Sequence, residues 1–170
     1  VLYVTEAATV TLDALDLRRG METYGGAVYV DSGVLTITQS AVYSSTAEYG
    51  GALYHAGGDV TLAAGSDLYA NTAIDGGALF VHGGTALVQN SVLRDNQATG
   101  GGGGLYKASG GDLVVWHNVF YENRADQGGG LYTANATLDV RNNVFAQNSV
   151  TTTGHAVYAL SDYQVDHNNA

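Results

Sequence analysis

Cysteine and proline are both absent from this chain of 170 residues, which also has a single methionine and a single tryptophan. Without cysteine there can be no disulfide, no thiolate nucleophile and no zinc–thiolate site. Basic residues are scarce, since six Lys and Arg stand against 16 Asp and Glu and give a net charge of −10. Such a surface repels phosphate backbones and anionic lipid headgroups, so we expect no nucleic acid partner.

Long apolar runs are missing as well. No stretch approaches the roughly 18 apolar residues that a transmembrane helix needs. No basic segment followed by an apolar one has the pattern of a signal peptide. We therefore expect no transmembrane segment in this sequence.

Glycine is abundant, with 24 residues, and much of it belongs to a phrase of the type Gly-Gly-Ala-Leu-Tyr. Successive copies start at Gly25, Gly50, Gly76, Gly102, Gly128 and, in a degraded form, Gly154. The steps between them are 25, 26, 26, 26 and 26 residues. A fixed period of this length is typical of a solenoid, in which one repeated unit stacks on the next.

Residues aligned from Val10 onward alternate with period two, as in strands whose successive side chains face opposite sides. Two positions of each coil are apolar and are predicted to point inward. The first holds Val10, Leu35, Val60, Ala86, Leu113, Leu138 and Tyr163, and the second holds Leu12, Ile37, Leu62, Val88, Val115, Val140 and Val165. The position between them is too mixed for a core and is predicted to face solvent.

A further apolar position in each coil is followed three residues later by a small polar residue. These polar residues are Ser45, Asn71, Asn96, Asn123 and Asn148. An Asn at one turn of every coil can bond its own backbone and stack on the next Asn about 4.8 Å away, so we predict a structural ladder. A second small polar column fits another turn and contains Ser40, Ser66, Ser91, Asn118, Asn143 and Asn168.

Paired glycines mark the third corner, where a positive φ or a close approach to the next coil favours glycine. The pairs are Gly25 and Gly26, Gly50 and Gly51, Gly76 and Gly77, Gly102 and Gly103, and Gly128 and Gly129. Three strands and three corners in about 26 residues predict an all-β parallel β-helix of roughly 6.5 coils. We expect one domain over residues 1–170, and a segment of a longer solenoid because both ends fall inside a repeat.

The two recurring elements together resemble the repeat of the polymorphic outer-membrane proteins of bacteria. Phe120-Tyr121-Glu122-Asn123 and Phe145-Ala146-Gln147-Asn148 match the Phe-x-x-Asn element, and Leu68–Asn71 and Leu93–Asn96 match it with Leu for Phe. The resemblance covers about residues 1–170. It implies a right-handed helix, a location outside the cell or on the bacterial surface, and a role in adhesion or surface architecture.

One aromatic column runs through every coil: Tyr3, Tyr29, Tyr54, Phe80, Tyr106, Tyr132 and Tyr158. If the neighbouring Leu and Val residues point inward, alternation places these rings on the outside as a stripe. The stripe could bind sugar faces or a partner rod, since aromatic rings offer large contact areas. The alternative is a purely structural ladder that holds the coils together.

No catalytic residue, metal site or cofactor is predicted. The acidic residues are scattered, whereas a glycosidase pair or a calcium site requires converging carboxylates. Arg141 and Asp166 share an outward column, and we expect a salt bridge between them. The histidines occupy different columns and are expected in turns or on the surface: His55, His82, His117, His155 and His167. Asn135-Ala136-Thr137 is an N-glycosylation sequon.

Together these features predict a non-enzymatic structural protein that serves as a rigid surface element, adhesin or filament subunit. Its expected partners are other copies of itself, joined end to end or laterally, neighbouring coils, and host surfaces or glycans. Two alternatives remain. One is a polysaccharide lyase or glycosidase with a compact outward cluster of carboxylates. The other is a glycan-binding adhesin that uses the tyrosine stripe.

Overall fold

Four parallel sheets run along the axis of a solenoid, as a computed structural model of the chain shows. The structure describes residues 1–6, 8–108, 110–134, 137–152, 156–159 and 164–166. The side chains of Thr137 and of residues 164–166 lie outside that description. The described part of the chain is all-β and makes about six turns, so the predicted fold class is confirmed.

The first sheet carries the aromatic column. Its seven strands are Leu2–Val4, Val28–Val30, Leu53–His55, Leu79–Val81, Leu105–Lys107, Leu131–Thr133 and Val157–Ala159. Each strand pairs in register with its equivalent in the next coil, so that Tyr29 is the Cα partner of both Tyr3 and Tyr54. The first and third residues of each strand point inward, which leaves the aromatic residue on the outer face.

The second sheet has the longest strands. They are Thr9–Asp13, Val34–Thr38, Asp59–Ala63, Thr85–Gln89, Asp112–Trp116, Thr137–Arg141 and Gln164–Asp166. Among the described side chains, the two apolar columns predicted to point inward do so, since Leu35, Ile37, Val88 and Val115 are fully enclosed.

The third sheet supplies the remaining wall of the core. Its six strands are Asp16–Arg18, Ala41–Tyr43, Asp67–Tyr69, Val92–Arg94, Val119–Tyr121 and Val144–Ala146. The middle residue of each strand points inward, and Phe120 stacks on Phe145 with ring centroids 4.7 Å apart.

A fourth sheet of two-residue strands is absent from the sequence prediction, which has three strands per coil. Its members are Thr72–Ala73, Gln97–Ala98, Arg124–Ala125 and Ser149–Val150. Two residues are too few to reveal a period of two, and this explains the omission. The inward residue of the first three strands is a buried alanine, at Ala73, Ala98 and Ala125.

Candidate functional site

The predicted Asn positions form a continuous hydrogen-bonded ladder between the third and fourth sheets. Asn96 donates from Nδ2 to the carbonyl oxygen of Leu68 at 2.8 Å and to Oδ1 of Asn123 at 3.0 Å. The same Oδ1 also accepts the backbone N–H of Asn96, at 3.1 Å. Equivalent bonds join Ser45 to Asn71, Asn71 to Asn96, and Asn123 to Asn148. The side chains of Asn71, Asn96 and Asn123 therefore each bond the backbone of one neighbouring coil and the amide of the other.

The second polar column forms a similar ladder between the second and third sheets. Asn118 donates from Nδ2 to Val88 O at 2.8 Å and to Asn143 Oδ1 at 3.0 Å. The hydroxyls of Ser66 and Ser91 donate hydrogen bonds to the backbone carbonyl oxygens of Ala63 and Gln89. A residue in the left-handed region precedes each ladder position, as with His117 before Asn118 and Glu122 before Asn123. Asn168 lies outside the described residues.

The first and second glycine of each corner pair have different structural roles. The first of each pair has a positive φ, from +58° at Gly128 to +67° at Gly76. The second glycine packs against the next coil, so that a Cβ on Gly77 would overlap the carbonyl oxygen of Gly103. Gly154 lies outside the described residues.

The aromatic column is a stacked ladder on the outer face of the first sheet. Its rings lie nearly parallel from Tyr29 onward, with interplanar angles of 2° to 19° and centroids 4.7 to 5.6 Å apart. Tyr3 is tilted by 46° against Tyr29. Because each ring face contacts the next ring, the faces between Tyr29 and Tyr158 are not available to stack on sugars.

The expectation of an exposed stripe is wrong for two of the seven rings. Tyr54 is 8% exposed and Phe80 is 6% exposed. Two tyrosines from the neighbouring corner cover them edge-on, with Tyr24 5.0 Å from Tyr54 and Tyr49 5.4 Å from Phe80. The path of the corner backbone places these covers, and alternation along the strand carries no information about that path.

Where this cover ends, a cleft opens beside the ladder. The residue that precedes the paired glycines changes from Tyr24 and Tyr49 to Asp75, Gly101 and Gln127 in the following coils. The cleft has a volume of about 240 Å³ and is lined by Asp75, Gly100, Gly101, Tyr106, Asp126, Gln127, Tyr132 and Thr152. The change from tyrosine to Asp75, Gly101 and Gln127 is a signal for the cleft that is visible in the sequence, although the sequence analysis did not use it.

Hydrogen bonds hold the carboxylates of the cleft in place. Asp75 Oδ1 accepts the backbone N–H of Gly101 at 2.7 Å. Asp126 Oδ1 accepts the hydroxyl of Thr151, and the backbone N–H of Asp126 donates to Gly100 O at 2.8 Å. Burial, together with the Asp75 carboxylate, raises the pKa of Tyr106 to about 12. The Tyr106 phenol therefore stays protonated, and can donate a hydrogen bond, at neutral and moderately alkaline pH.

A second, larger groove continues from this cleft over the fourth sheet. It measures about 430 Å³ and is lined by Thr72, Ala73, Gln97, Ala98, Thr99, Arg124, Asp126 and Thr151. Asp126 borders both depressions. Together they form one continuous depression on the side of coils three to six.

Apart from the ladder residues, three polar side chains of the described residues lie inside the solenoid, and sequence reasoning missed all of them. His55, Lys107 and Thr133 are each 0% exposed. They occupy the third position of the first-sheet strands, in one column with Val30 and Val81. The period-two pattern that places Leu53 and Leu105 inward also predicts an inward direction two residues later. The expected turn or surface position of His55 is therefore wrong, whereas His82 and His117 are exposed.

Each of the two basic side chains in this column bonds the turn that leads to the second sheet. Lys107 Nζ donates to Gly110 O, and His55 Nε2 lies 3.2 Å from Gly58 O. Burial lowers the pKa of Lys107 to about 8, although the Asp112 carboxylate opposes that shift. Burial also lowers the pKa of His55, against the Gly58 and Gly57 carbonyls. His55 Nδ1 and Thr133 Oγ1 are buried without a partner among the described residues.

The ion pairs found among the described residues lie at the surface. Arg94 contacts Asp67 at 2.9 Å and Asp95 at 3.1 Å, and its guanidinium lies 4.1 Å from the centroid of the Tyr69 ring. Arg141 and Asp166 are Cα partners, but Arg141 pairs with Asp139 at 2.6 Å. The Asp166 side chain lies outside the description, so the expected Arg141–Asp166 salt bridge stays a prediction.

Neither a metal-binding cluster nor a membrane-spanning helix is found in the described residues. No three His, Asp or Glu side chains converge there in a way that could hold an ion. No helix in this part has the length and apolar character for crossing a bilayer. Asn135 and Ala136 of the sequon, Tyr163, His155 and His167 lie outside the description.

In-register parallel sheets, inward apolar columns and Asn ladders define a parallel β-solenoid. The family described as the right-handed β-helix region matches residues 1–170. The chain therefore belongs to the right-handed β-helix family. No curated protein and no solved structure matches it.

Proposed function

We propose that this protein is a rigid, non-enzymatic structural element located outside the cell or on the bacterial surface. The observation that carries the proposal is the continuity of its ladders. The first sheet, the Asn ladder and the aromatic ladder run from coil to coil in register. Each coil satisfies the polar groups of the next, which gives a stiff rod whose outer residues can vary without loss of the fold.

The surface location rests on the resemblance of the repeat to polymorphic outer-membrane proteins and on the acidic charge. A net charge of −10 favours solubility and disfavours contact with anionic surfaces. Adhesion to host glycans and association of copies end to end or laterally stay proposals of the same kind. Such roles use the outer faces of the rod and require no catalytic group.

Two measurements on the native organism and the purified chain test this function. An antibody against the chain should label intact cells, and labelling only after permeabilisation would overturn the surface location. Electron microscopy of the purified chain over a concentration series should show straight rods. Flexible or collapsed particles would contradict the rigid-element proposal, and fibres at high concentration would support end-to-end association.

The cleft between Asp75 and Asp126 favours a second candidate, carbohydrate binding or cleavage. Its carboxylates, its amide at Gln127 and the protonated phenol of Tyr106 are groups that exchange hydrogen bonds with sugar hydroxyls. Asp75 and Asp126 come from coils two steps apart, so their backbones are about 10 Å apart along the axis. Inverting glycosidases hold their two carboxyl groups about 6.5–9.5 Å apart and retaining ones about 5–5.5 Å apart, so this backbone spacing is closer to the inverting arrangement.

A glycan array and a reducing-end assay on polysaccharides distinguish the two candidates. The structural proposal predicts that neither the parent chain nor the double variant Asp75→Asn, Asp126→Asn cleaves any polysaccharide. Binding or turnover lost in that double variant would favour the second candidate, provided that it persists in Asp59→Asn. Asp59 is an exposed carboxylate on the second sheet and serves as the matched control.

A further inference from the structure

Five tyrosines of the first three coils form one connected cluster. Its members are Tyr3, Tyr24, Tyr29, Tyr49 and Tyr54, with each ring centroid 5.0 to 6.5 Å from at least one other. Phe80 bounds the cluster, at 5.2 Å from Tyr54 and 5.4 Å from Tyr49. Because phenylalanine has no phenolic proton to release, it separates these five phenols from Tyr106 and the rest of the ladder.

Within this cluster the pair of Tyr24 and Tyr49 has the geometry for coupling. The two rings stack with centroids 5.6 Å apart and an angle of 14°, on backbones that are themselves bridged in register. Tyr24 is 45% exposed and Tyr49 is partly exposed, whereas Tyr54 beneath Tyr24 is 8% exposed. Solvent can therefore take up the phenolic proton of this pair more readily than that of Tyr54.

A second stacked pair on the third sheet provides a contrast. Tyr43 and Tyr69 lie closer, at 4.7 Å and 7°. The guanidinium of Arg94 is 4.1 Å from the centroid of Tyr69, and a positive charge over a ring disfavours the removal of an electron from it. Among the described ring contacts, no further tyrosine touches this pair. A radical formed on another tyrosine therefore has no path of contacting rings to it.

We propose that Tyr24 and Tyr49 are a site of oxidative dityrosine cross-linking, which joins consecutive coils when the protein meets a one-electron oxidant. Each phenol gives one electron to the oxidant and its phenolic proton to solvent. The two tyrosyl radicals form a carbon–carbon bond between their ortho carbons, perpendicular to the stacked rings. Each ring then regains aromaticity as the hydrogen on that carbon moves to its oxygen. The net loss is two electrons and two protons.

The composition of the chain directs oxidation to tyrosine. It has no cysteine, one methionine and one tryptophan, against 12 tyrosines. Trp116 lies in the second sheet, on a different side of the solenoid from the cluster. Met21 is 78% exposed and forms a sulfoxide by oxygen transfer, a two-electron reaction that does not yield dityrosine. Radicals formed on Tyr3, Tyr29 or Tyr54 can pass through contacting rings to Tyr24 and Tyr49.

The experiment uses the whole chain at low concentration, irradiated with a ruthenium polypyridyl complex and persulfate. The monomer fraction is digested with a protease specific for glutamate, since cleavage after Glu22 and Glu48 puts Tyr24 and Tyr49 on separate peptides. Mass spectrometry should find the two peptides joined with the loss of two hydrogens. Fragment ions should locate the bond at Tyr24 and Tyr49, and not at Tyr29–Tyr54 or Tyr43–Tyr69.

Variants that keep the ring but remove the hydroxyl provide the controls. Tyr24→Phe and Tyr49→Phe should each reduce the linked monomer at least tenfold, whereas Tyr43→Phe and Tyr69→Phe should leave its yield unchanged. The linked monomer should also unfold at a higher denaturant concentration. No linked monomer, links only between molecules, or a main link at Tyr43–Tyr69 would overturn the proposal.

Discussion

Asn96 and Asn123 are joined twice through one oxygen atom. Oδ1 of Asn123 accepts the backbone N–H of Asn96 at 3.1 Å and its Nδ2 at 3.0 Å. Both residues are 0% exposed, so water cannot replace either bond. The turn of each coil therefore depends on a side chain that belongs to the next coil.

Replacement of Asn123 by alanine should destabilise the protein by about 1–3 kcal/mol, because buried groups of the Asn96 turn lose their acceptor. The carbonyl of Leu93 also loses a donor, at 2.7 Å. Denaturant unfolding followed by circular dichroism measures the change. Gln97→Ala is the control, since Gln97 neighbours the ladder but is exposed. Equal unfolding midpoints for the two variants would show that the ladder contributes nothing.

A comparison of the corner glycine Gly50 with Gly65, which lies outside the glycine pairs, separates backbone strain from steric overlap. Gly65 and Gly50 both have a positive φ, +80° and +66°, but only at Gly50 would a Cβ overlap a carbonyl oxygen, that of Leu53. Gly65→Ala should cost about 1–2 kcal/mol from strain alone. Gly50→Ala should cost about 1–3 kcal/mol more, because the corner must shift. Thermal and denaturant unfolding compare the two, and equal costs would contradict this assignment.

Lys107 should make stability rise with pH on the alkaline side. Its pKa is about 8 in the folded chain, below the ordinary value of 10.5, so the unfolded chain binds more protons between these values. The free energy of unfolding should therefore increase from about pH 8 towards pH 10.5, by up to about 3 kcal/mol. Two titratable groups are coupled to this amine. The Asp112 carboxylate raises the pKa of Lys107, and Lys107 in turn lowers the pKa of His55.

The variant Lys107→Met should remove this slope and be more stable than the parent at pH 7, where the buried ammonium is charged. Arg18→Met, which replaces an exposed cation, should leave the slope intact. Urea unfolding between pH 7 and 9 tests both variants. A parallel pH profile for Lys107→Met and the parent would refute the buried charge.

His55 should make the protein less stable at acidic pH. Its pKa is lowered below 6.5, mainly by burial, so the unfolded chain binds the proton more readily and stability should fall as the pH drops through 6.5. His55→Val, which extends the column of Val30 and Val81, should flatten the profile between pH 7 and 5. The exposed His82→Ala serves as the control. Hydrogen exchange or urea unfolding over this range measures the difference.

The sequence by itself determined the period, the strands and the direction of most side chains. A recurring phrase such as Gly50-Gly51-Ala52-Leu53-Tyr54 fixes where each coil turns, because positive φ and close backbone approach both favour glycine. Alternation within strands fixed Leu35 and Ile37 inside. Asn71 and Asn96 could be placed at a turn and in one column because identical coils stack in register.

The tertiary structure decided what lies over those columns. Tyr24 and Tyr49 cover Tyr54 and Phe80, and the cover ends where Asp75 replaces tyrosine. Asp126 joins the same cleft from a coil two steps away. These contacts depend on the path of corner backbones across the outer face, which no period along a single strand encodes. The degree of burial of Lys107, and hence its lowered pKa, is also set by the packing of coils around it.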